Sequence, residues 1–214
     1  MTYAVKEMFL TLQGEGVQAG RRAVFARFAG CNLWSGLEKD RITAVCQFCD
    51  TDFVGMDGEG GGRFQDAKAF AKAVAAQWGA GEDARFVVLT GGEPMLQVDD
   101  ALIDALHAVG FEIAIESNGT LAVPRSIDWI CISPKAGSKT IQRSGDELKL
   151  VWPQSGSNWE AMQDWDFANH LLQPMDARAD EAANKANLAE AISFVQTHPK
   201  WRLSLQTHKI LGLA

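Results

Sequence analysis

Arg85-Phe86-Val87-Val88-Leu89-Thr90-Gly91-Gly92-Glu93-Pro94 is the stretch that decides the fold. Arg85 to Leu89 is a short apolar run, too brief for a helix, and reads as a strand buried on both faces. A polar glycine-rich turn follows. Residues 98–109 then place Val98, Leu102, Ala105, Leu106 and Val109 along one side of a helix, with Gly110 as its stop. Phe111 to Ile115 is the next strand. Strand, helix and strand in this succession make a parallel crossover unit.

The same alternation extends in both directions. Downstream, Trp129 to Ile132, Glu147 to Val151, His170 to Gln173 and Arg202 to Leu205 read as strands. A short helix covers 158–163. A long one covers 181–197, with Leu188, Ile192 and Val195 expected inward. Upstream, Met8 to Leu12 and Ala23 to Phe28 read as strands, with Gly14, Gly16 and Gly20 between them. Phe64, Ala67, Ala71, Val74 and Trp78 fall three or four apart and predict a helix ended by Gly79 and Gly81. Gly58 to Gly62 reads as a flexible loop.

The pattern is α/β with a largely parallel sheet. A closed eight-unit barrel takes about 250 residues and at least about 200; here the first 60 residues carry little helix, and the remainder cannot supply eight strand–helix units of roughly 30 residues each. The expectation is a partial, open β/α barrel of about six strands. N-terminal strands and a cysteine-bearing loop insertion at 30–52 add to it, in one domain over 1–214.

With 214 residues, 47% of them hydrophobic, and a formal charge of -7, the chain has globular composition. An acidic balance argues against a phosphate-tracking surface, so nucleic acid is not the expected partner. No apolar run reaches membrane-spanning length, and residues 1–7 lack the basic-then-apolar pattern of a secretory signal. The expected location is the cytoplasm. There, four cysteines read as metal ligands or core residues rather than disulfides.

In parallel sheets ligands bind where strands end. Thr90-Gly91-Gly92-Glu93-Pro94, Glu116-Ser117-Asn118-Gly119-Thr120, Ser133-Pro134-Lys135 and Gln173-Pro174-Met175-Asp176 each follow a strand. Singly, each reads as an ordinary turn or cap. Four on one rim read as a binding site, where Gly91 and Gly92 admit a ligand close to the backbone and Glu93 offers a carboxylate to an ammonium.

Cys31, Cys46 and Cys49 stand in C-x14-C-x2-C spacing. Structural zinc takes four protein ligands, and iron–sulfur clusters usually take four cysteines. Three cysteines leave one position open to a substrate or cofactor. Cys131 lies inside the apolar run Trp129 to Ile132 and reads as a buried core thiol. His107, His170, His198 and His208 have no metal-ligand spacing and read as packing or surface residues.

These residues resemble the radical S-adenosylmethionine superfamily, departing from its usual C-x3-C-x2-C by an insertion from Asn32 to Val45. Within it, the chain is similar to the 7-carboxy-7-deazaguanine synthases of queuosine biosynthesis, which tolerate such an insertion. The match runs through Leu12-Gln13-Gly14-Glu15-Gly16, Arg27-Phe28-Ala29-Gly30-Cys31-Asn32-Leu33, Cys49-Asp50-Thr51 and the four strand ends above. The resemblance implies a [4Fe–4S] cluster on Cys31, Cys46 and Cys49, with S-adenosylmethionine at the open iron and Mg2+ at Thr51, with Asp50 as an auxiliary. It makes residues 30–52 the cluster-binding loop. The activity implied is that of a carbon–nitrogen lyase. A 5′-deoxyadenosyl radical abstracts hydrogen from C6 of 6-carboxy-5,6,7,8-tetrahydropterin, the ring contracts and ammonia leaves, giving a precursor for tRNA modification.

The implied S-adenosylmethionine contacts are Phe48, Gly91, Gly92, Glu93, Ser133, Lys135, Gln173, Pro174, Met175 and Asp176. Those implied for the pterin are Leu12, Gln13, Gly14, Glu15, Arg27, Thr90, Glu116 and the terminal Ala214. Arg27 suits the substrate carboxylate because its planar fork binds carboxylates bidentately; pairing with Glu15 or Asp52 is its alternative. The insertion either packs over the cluster or faces an electron donor. A small carrier such as a flavodoxin or ferredoxin and a homodimer are also implied. A glycyl-radical activase and a zinc-stabilised, non-catalytic binding module are the competing readings.

Overall fold

A computed structural model of the chain describes residues 1–213. Its elements are β1 (Tyr3–Leu12), β2 (Arg22–Phe28), β3 (Gly62–Phe64), α1 (Ala67–Trp78), β4 (Phe86–Gly91), α2 (Asp100–Ala108), β5 (Glu112–Ser117), β6 (Trp129–Ile132), β7 (Ser144–Trp152), α3 (Trp159–Met162), β8 (Asp166–Pro174), α4 (Glu181–Thr197), β9 (Trp201–Leu203) and α5 (Thr207–Leu211). Short 3-10 turns lie at Glu38–Thr43 and Pro94–Leu96.

Among the described residues these strands form one sheet in the order β3-β1-β2-β4-β5-β6-β7-β8-β9. From β2 to β9 every neighbouring pair is parallel, and β1 pairs antiparallel with both β2 and β3. The parallel run thus holds seven strands, slightly more than expected. The edges of the whole sheet, β3 and β9, do not pair with each other, so the barrel stays open.

Strand alternation gives the sheet two unlike faces. On one, Val24, Ala26, Val87, Leu89, Ile113, Ile115, Leu148 and Leu172 pack in one core with Phe70, Val74 and Trp78 of α1, Leu102, Ile103 and Leu106 of α2, and Ala191 and Phe194 of α4. On the other, a smaller cluster of Ala23, Phe86, Val88 and Ala114 fills the lower end. Above it the inner face turns polar.

Several expectations shift. The helix expected from Phe64 begins at Ala67 because Asp66 caps it, accepting from the Ala69 amide, while Phe64 joins β3 opposite Tyr3. β1 reaches back to Tyr3: a register irregularity between Val5 and Glu7 breaks the alternation that would have marked it, and lets both Val5 and Met8 enter the core. Gly58 to Gly62 is a packed turn rather than a flexible loop. The Gly58 amide donates to the Lys6 carbonyl at 2.9 Å, the Met8 amide donates to the Glu59 carbonyl at 2.7 Å, and a Cβ on Gly61 would lie 2.2 Å from the Lys6 carbonyl oxygen. On α4, Leu188 and Ile192 face solvent at 37% and 40% exposure. Ala191 and Phe194 point inward instead, Phe194 filling the space between Trp152, Trp159 and Trp201.

Candidate active site

The polar inner face meets the cysteine loop where β2, β4, β5, β6, β7 and β8 end. A cavity of about 160 Å³ lies there, lined by Cys31, Cys46 and Cys49, by Thr90, Gly91 and Gly92, by Glu116, Ser133, Lys135 and Gln173, and by Glu15, Lys149 and Gln206. Two smaller cavities share its walls. One, of about 100 Å³, is bounded by Phe48, Lys135 and the Gln173 to Asp176 turn, with Cys46, Cys49 and Asp50. The other, of about 90 Å³, is bounded by Leu12, Gln13, Gly14, Glu15, Arg27, Thr90 and Glu116, with His208. Every residue expected to contact the pterin therefore lines one cavity, apart from Ala214, which lies outside the described residues.

All four cysteines are free thiols. The Cys46 thiol hydrogen-bonds Cys49, bringing Cys49 down to about 6 and pushing Cys46 up, while burial pushes Cys31 up. Cys131 is fully enclosed on β6 and does not line the cavity. Among the described residues no group of three or more His, Cys, Asp or Glu side chains converges to hold a single metal ion. Three soft sulfur donors spread around one cavity instead suit a cluster, which takes each sulfur at a separate iron.

The loop is braced from outside. Trp34 is buried edge-on against Phe53, with ring centroids 5.5 Å apart, and Arg41 lies 4.0 Å over the Trp34 ring. Arg41 also donates to the carbonyls of Gln47 and Cys49 at 2.9 and 3.0 Å, and Arg178 donates to the same Cys49 carbonyl at 2.9 Å. The insertion thus both packs beside the site, through Trp34, and turns outward, with Ile42 83% exposed.

The Gly91-Gly92 pair has a different reason from ligand approach alone. A Cβ on Gly91, whose φ is +131°, would lie 2.3 Å from the Phe28 carbonyl oxygen. One on Gly92 would lie 2.0 Å from the Gly30 carbonyl oxygen and 2.9 Å from the Cys31 Cβ. Two backbones cross there, immediately before the first cysteine. Glu93 departs from the expected ammonium contact. It is wholly buried, outside the cavity wall, and its carboxylate accepts from the Ser117 hydroxyl (2.9 Å), the Met95 amide (2.9 Å) and the Asn118 amide (2.8 Å). It fastens the end of β4 to the end of β5. Lys135 donates to the Ser133 carbonyl and hydroxyl at 2.7 Å each, beneath Phe48.

Arg27 pairs with neither Glu15 nor Asp52. Its Nε donates to Glu7 at 2.6 Å across the β1–β2 ladder, while Asp52 pairs with Lys6 at 2.9 Å. Glu15 instead pairs with Lys149 at 2.5 Å and accepts from Gln206 at 2.9 Å. Thr51 offers its hydroxyl 3.5 Å from an Asp50 oxygen, but the other Asp50 oxygen is taken by Lys209 at 2.7 Å. A magnesium ion fits there only with water or substrate completing its shell.

Sequence reading passed over Lys149, Gln206, His208 and Lys209 as site residues. Lys149 carried a signal: it stands between Leu148 and Leu150 in a strand buried on both sides. The other three arrive from the chain's far end. The Thr207 amide and hydroxyl donate to the Gly14 carbonyl at 2.8 and 2.9 Å, and Lys209 also pairs with Asp176.

No protein-family model matches the chain. Curated relatives do. A 7-carboxy-7-deazaguanine synthase of Bradyrhizobium diazoefficiens is 61% identical, and one of Caulobacter vibrioides 60% identical, each over the whole of both chains. The chain belongs to the 7-carboxy-7-deazaguanine synthase family. A 7-carboxy-7-deazaguanine synthase of Bacteroides thetaiotaomicron, 40% identical over both full lengths, extends the likeness to a more distant relative. The crystal structure of QueE from Escherichia coli superposes with a TM-score of 0.68 at 25% identity, covering 97% of this chain and 95% of that one. The open, largely parallel sheet is therefore shared with the QueE structure. No helix among the described residues is long and apolar enough to cross a membrane.

Proposed function

We propose that this chain converts 6-carboxy-5,6,7,8-tetrahydropterin to 7-carboxy-7-deazaguanine with loss of ammonia. Cys31, Cys46 and Cys49 would hold a [4Fe–4S] cluster. S-adenosylmethionine would lie between Gly91-Gly92, Phe48, Ser133, Lys135 and the Gln173 to Asp176 turn. Bound together, those two groups supply a radical able to abstract hydrogen from carbon. The protein's own part is to hold the pterin still beside it and keep water out. Among the described residues Arg27 commits only its Nε, to Glu7, which leaves its terminal nitrogens to the substrate carboxylate. Gln13, Thr90 and Glu116 present polar atoms to the ring. Thr51 would give a weakly held Mg2+ one hydroxyl. A homodimer, a cytoplasmic setting and a small one-electron carrier of the flavodoxin or ferredoxin kind complete the reading.

The observation that carries it is the adjacency of two chemically unlike cavities, one thiol-lined and one lined by Gln13, Arg27, Thr90 and Glu116, sharing Glu15, Thr90 and Glu116 as common wall. Protein purified without oxygen should be brown, hold about four irons per chain, and form the deazaguanine from the tetrahydropterin, S-adenosylmethionine, a reductant and Mg2+. Colourless protein that folds around one tightly held zinc and forms no deazaguanine would reject it.

A further inference from the structure

Lys149 sits on the inner face of β7 with its side chain 5% exposed, between two carboxylates from distant segments. Its ammonium lies 2.5 Å from Glu15 Oε2 and 3.4 Å from Glu116 Oε1. Gln206 donates to the remaining Glu15 oxygen at 2.9 Å, so each Glu15 oxygen already has a partner within the protein. Gln13 donates to Glu116 Oε1 at 3.0 Å, while among the described residues Glu116 Oε2 has only the Thr90 hydroxyl, at 3.4 Å. Two other groups flank the ammonium. Glu147, two residues back on β7, is engaged by Trp129 and by the Val17 amide; Cys131, on β6, is kept a neutral thiol by burial.

We propose that Lys149 is a positioning residue of the pterin pocket, whose ammonium holds Glu15 and Glu116 apart and leaves Glu116 Oε2 as an acceptor for the paired ring N–H and amino donors of the ligand. Two carboxylates against one ammonium leave a single negative charge, and the hydrogen bonds direct it to the cavity wall. Burial alone would raise Glu15, yet Lys149 and the Gln206 amide hold it at about 2. Without the ammonium, two half-buried carboxylates are left side by side with no counter-charge between them and share a proton. That proton occupies the acceptor a donor-rich ring needs.

The proposal rests on the pterin reading, and the test separates the two. The probe is 6-carboxypterin, which keeps the amino-pyrimidinone edge and the carboxylate. Its fluorescence on binding to cluster-loaded protein is followed from about pH 6 to about pH 9. The probe's own ring N–H ionises toward the alkaline end of that range, so wild-type protein sets the reference and each variant is read as its affinity relative to wild type at the same pH; wild type that does not bind at all fails the pterin reading instead. Lys149→Met should bind about tenfold more weakly near pH 6 and regain affinity toward pH 9, as the shared proton leaves. Glu15→Gln added to Lys149→Met removes the facing carboxylate and should recover most of that loss and abolish the pH dependence. Lys149→Met that matches wild type throughout, or a loss that is constant with pH or unrelieved by Glu15→Gln, overturns the proposal. Should Lys149→Met fail to fold, the double variant decides alone: pH-dependent binding by it overturns the proposal.

Discussion

Cys131 and Cys31 differ in setting and in role: one is sealed within β6, the other opens onto the cavity. Cys31→Ala protein, prepared without oxygen, should lose its iron and its turnover. Cys131→Ala should keep both and lose only packing, about 1–3 kcal/mol by denaturant titration. His170 makes a prediction of the opposite kind, about pH. Burial, aided by nearby Lys200, holds this imidazole below its ordinary value. As pH falls below about 6.5 the unfolded chain takes up the proton first, so stability declines with falling pH until the folded ring also protonates. Melting temperatures at neutral and mildly acidic pH should differ more in wild type than in His170→Leu. The residues that were legible in the chain were those marked by spacing or by position after a strand, such as the cysteines and Glu116. Lys149 was less so, because a lysine between leucines also fits a strand with one wet face, and only the arrival of Glu15 and Gln206 from distant segments shows that this face is enclosed.

Among the elements, the end of β4 is the most constrained. Gly92→Ala would drive its new methyl into the Gly30 carbonyl, on backbone that cannot swing aside. It should lower the melting temperature and, by displacing Cys31, reduce iron content as well. An alanine at the exposed end of another element, such as Gly110 where nothing lies within 4 Å, lacks that second effect. The segment from Gln206 to Lys209 straps Gly14 and Glu15 to Asp50 and Asp176. Lys209→Ala should speed amide hydrogen exchange in 49–51 and 175–177 while leaving α1 and α2 unchanged. Strands and helices with clean periodicity, α4 and β6 above all, were bounded correctly from sequence. β1 was shortened because its irregular register hides the alternation, and α4 was rotated because three tryptophans, unseen locally, reward Phe194 for turning inward over Ile192.

At the scale of the molecule, the succession of β and α units was enough to give the parallel order, and a helix-poor N-terminal region left too little chain for eight closing units. What sequence could not give was the partnership of β1 with β3, since pairing across some fifty intervening residues leaves no local mark. The cavity walls draw on residues from Leu12 to His208, so they form only when the whole sheet is assembled. Contacts this distant in sequence close slowly, and refolding should run in milliseconds to seconds or longer by stopped-flow fluorescence of the tryptophans.

The division between the two faces of the sheet has a practical side. Nothing in α1, α2 or α4 touches any of the three connected cavities. An engineer seeking a hardier catalyst can therefore redesign the solvent-facing positions of those helices while sparing Asn184 and Asn187 of α4, which hold the turn at Met175 to Arg178 in place.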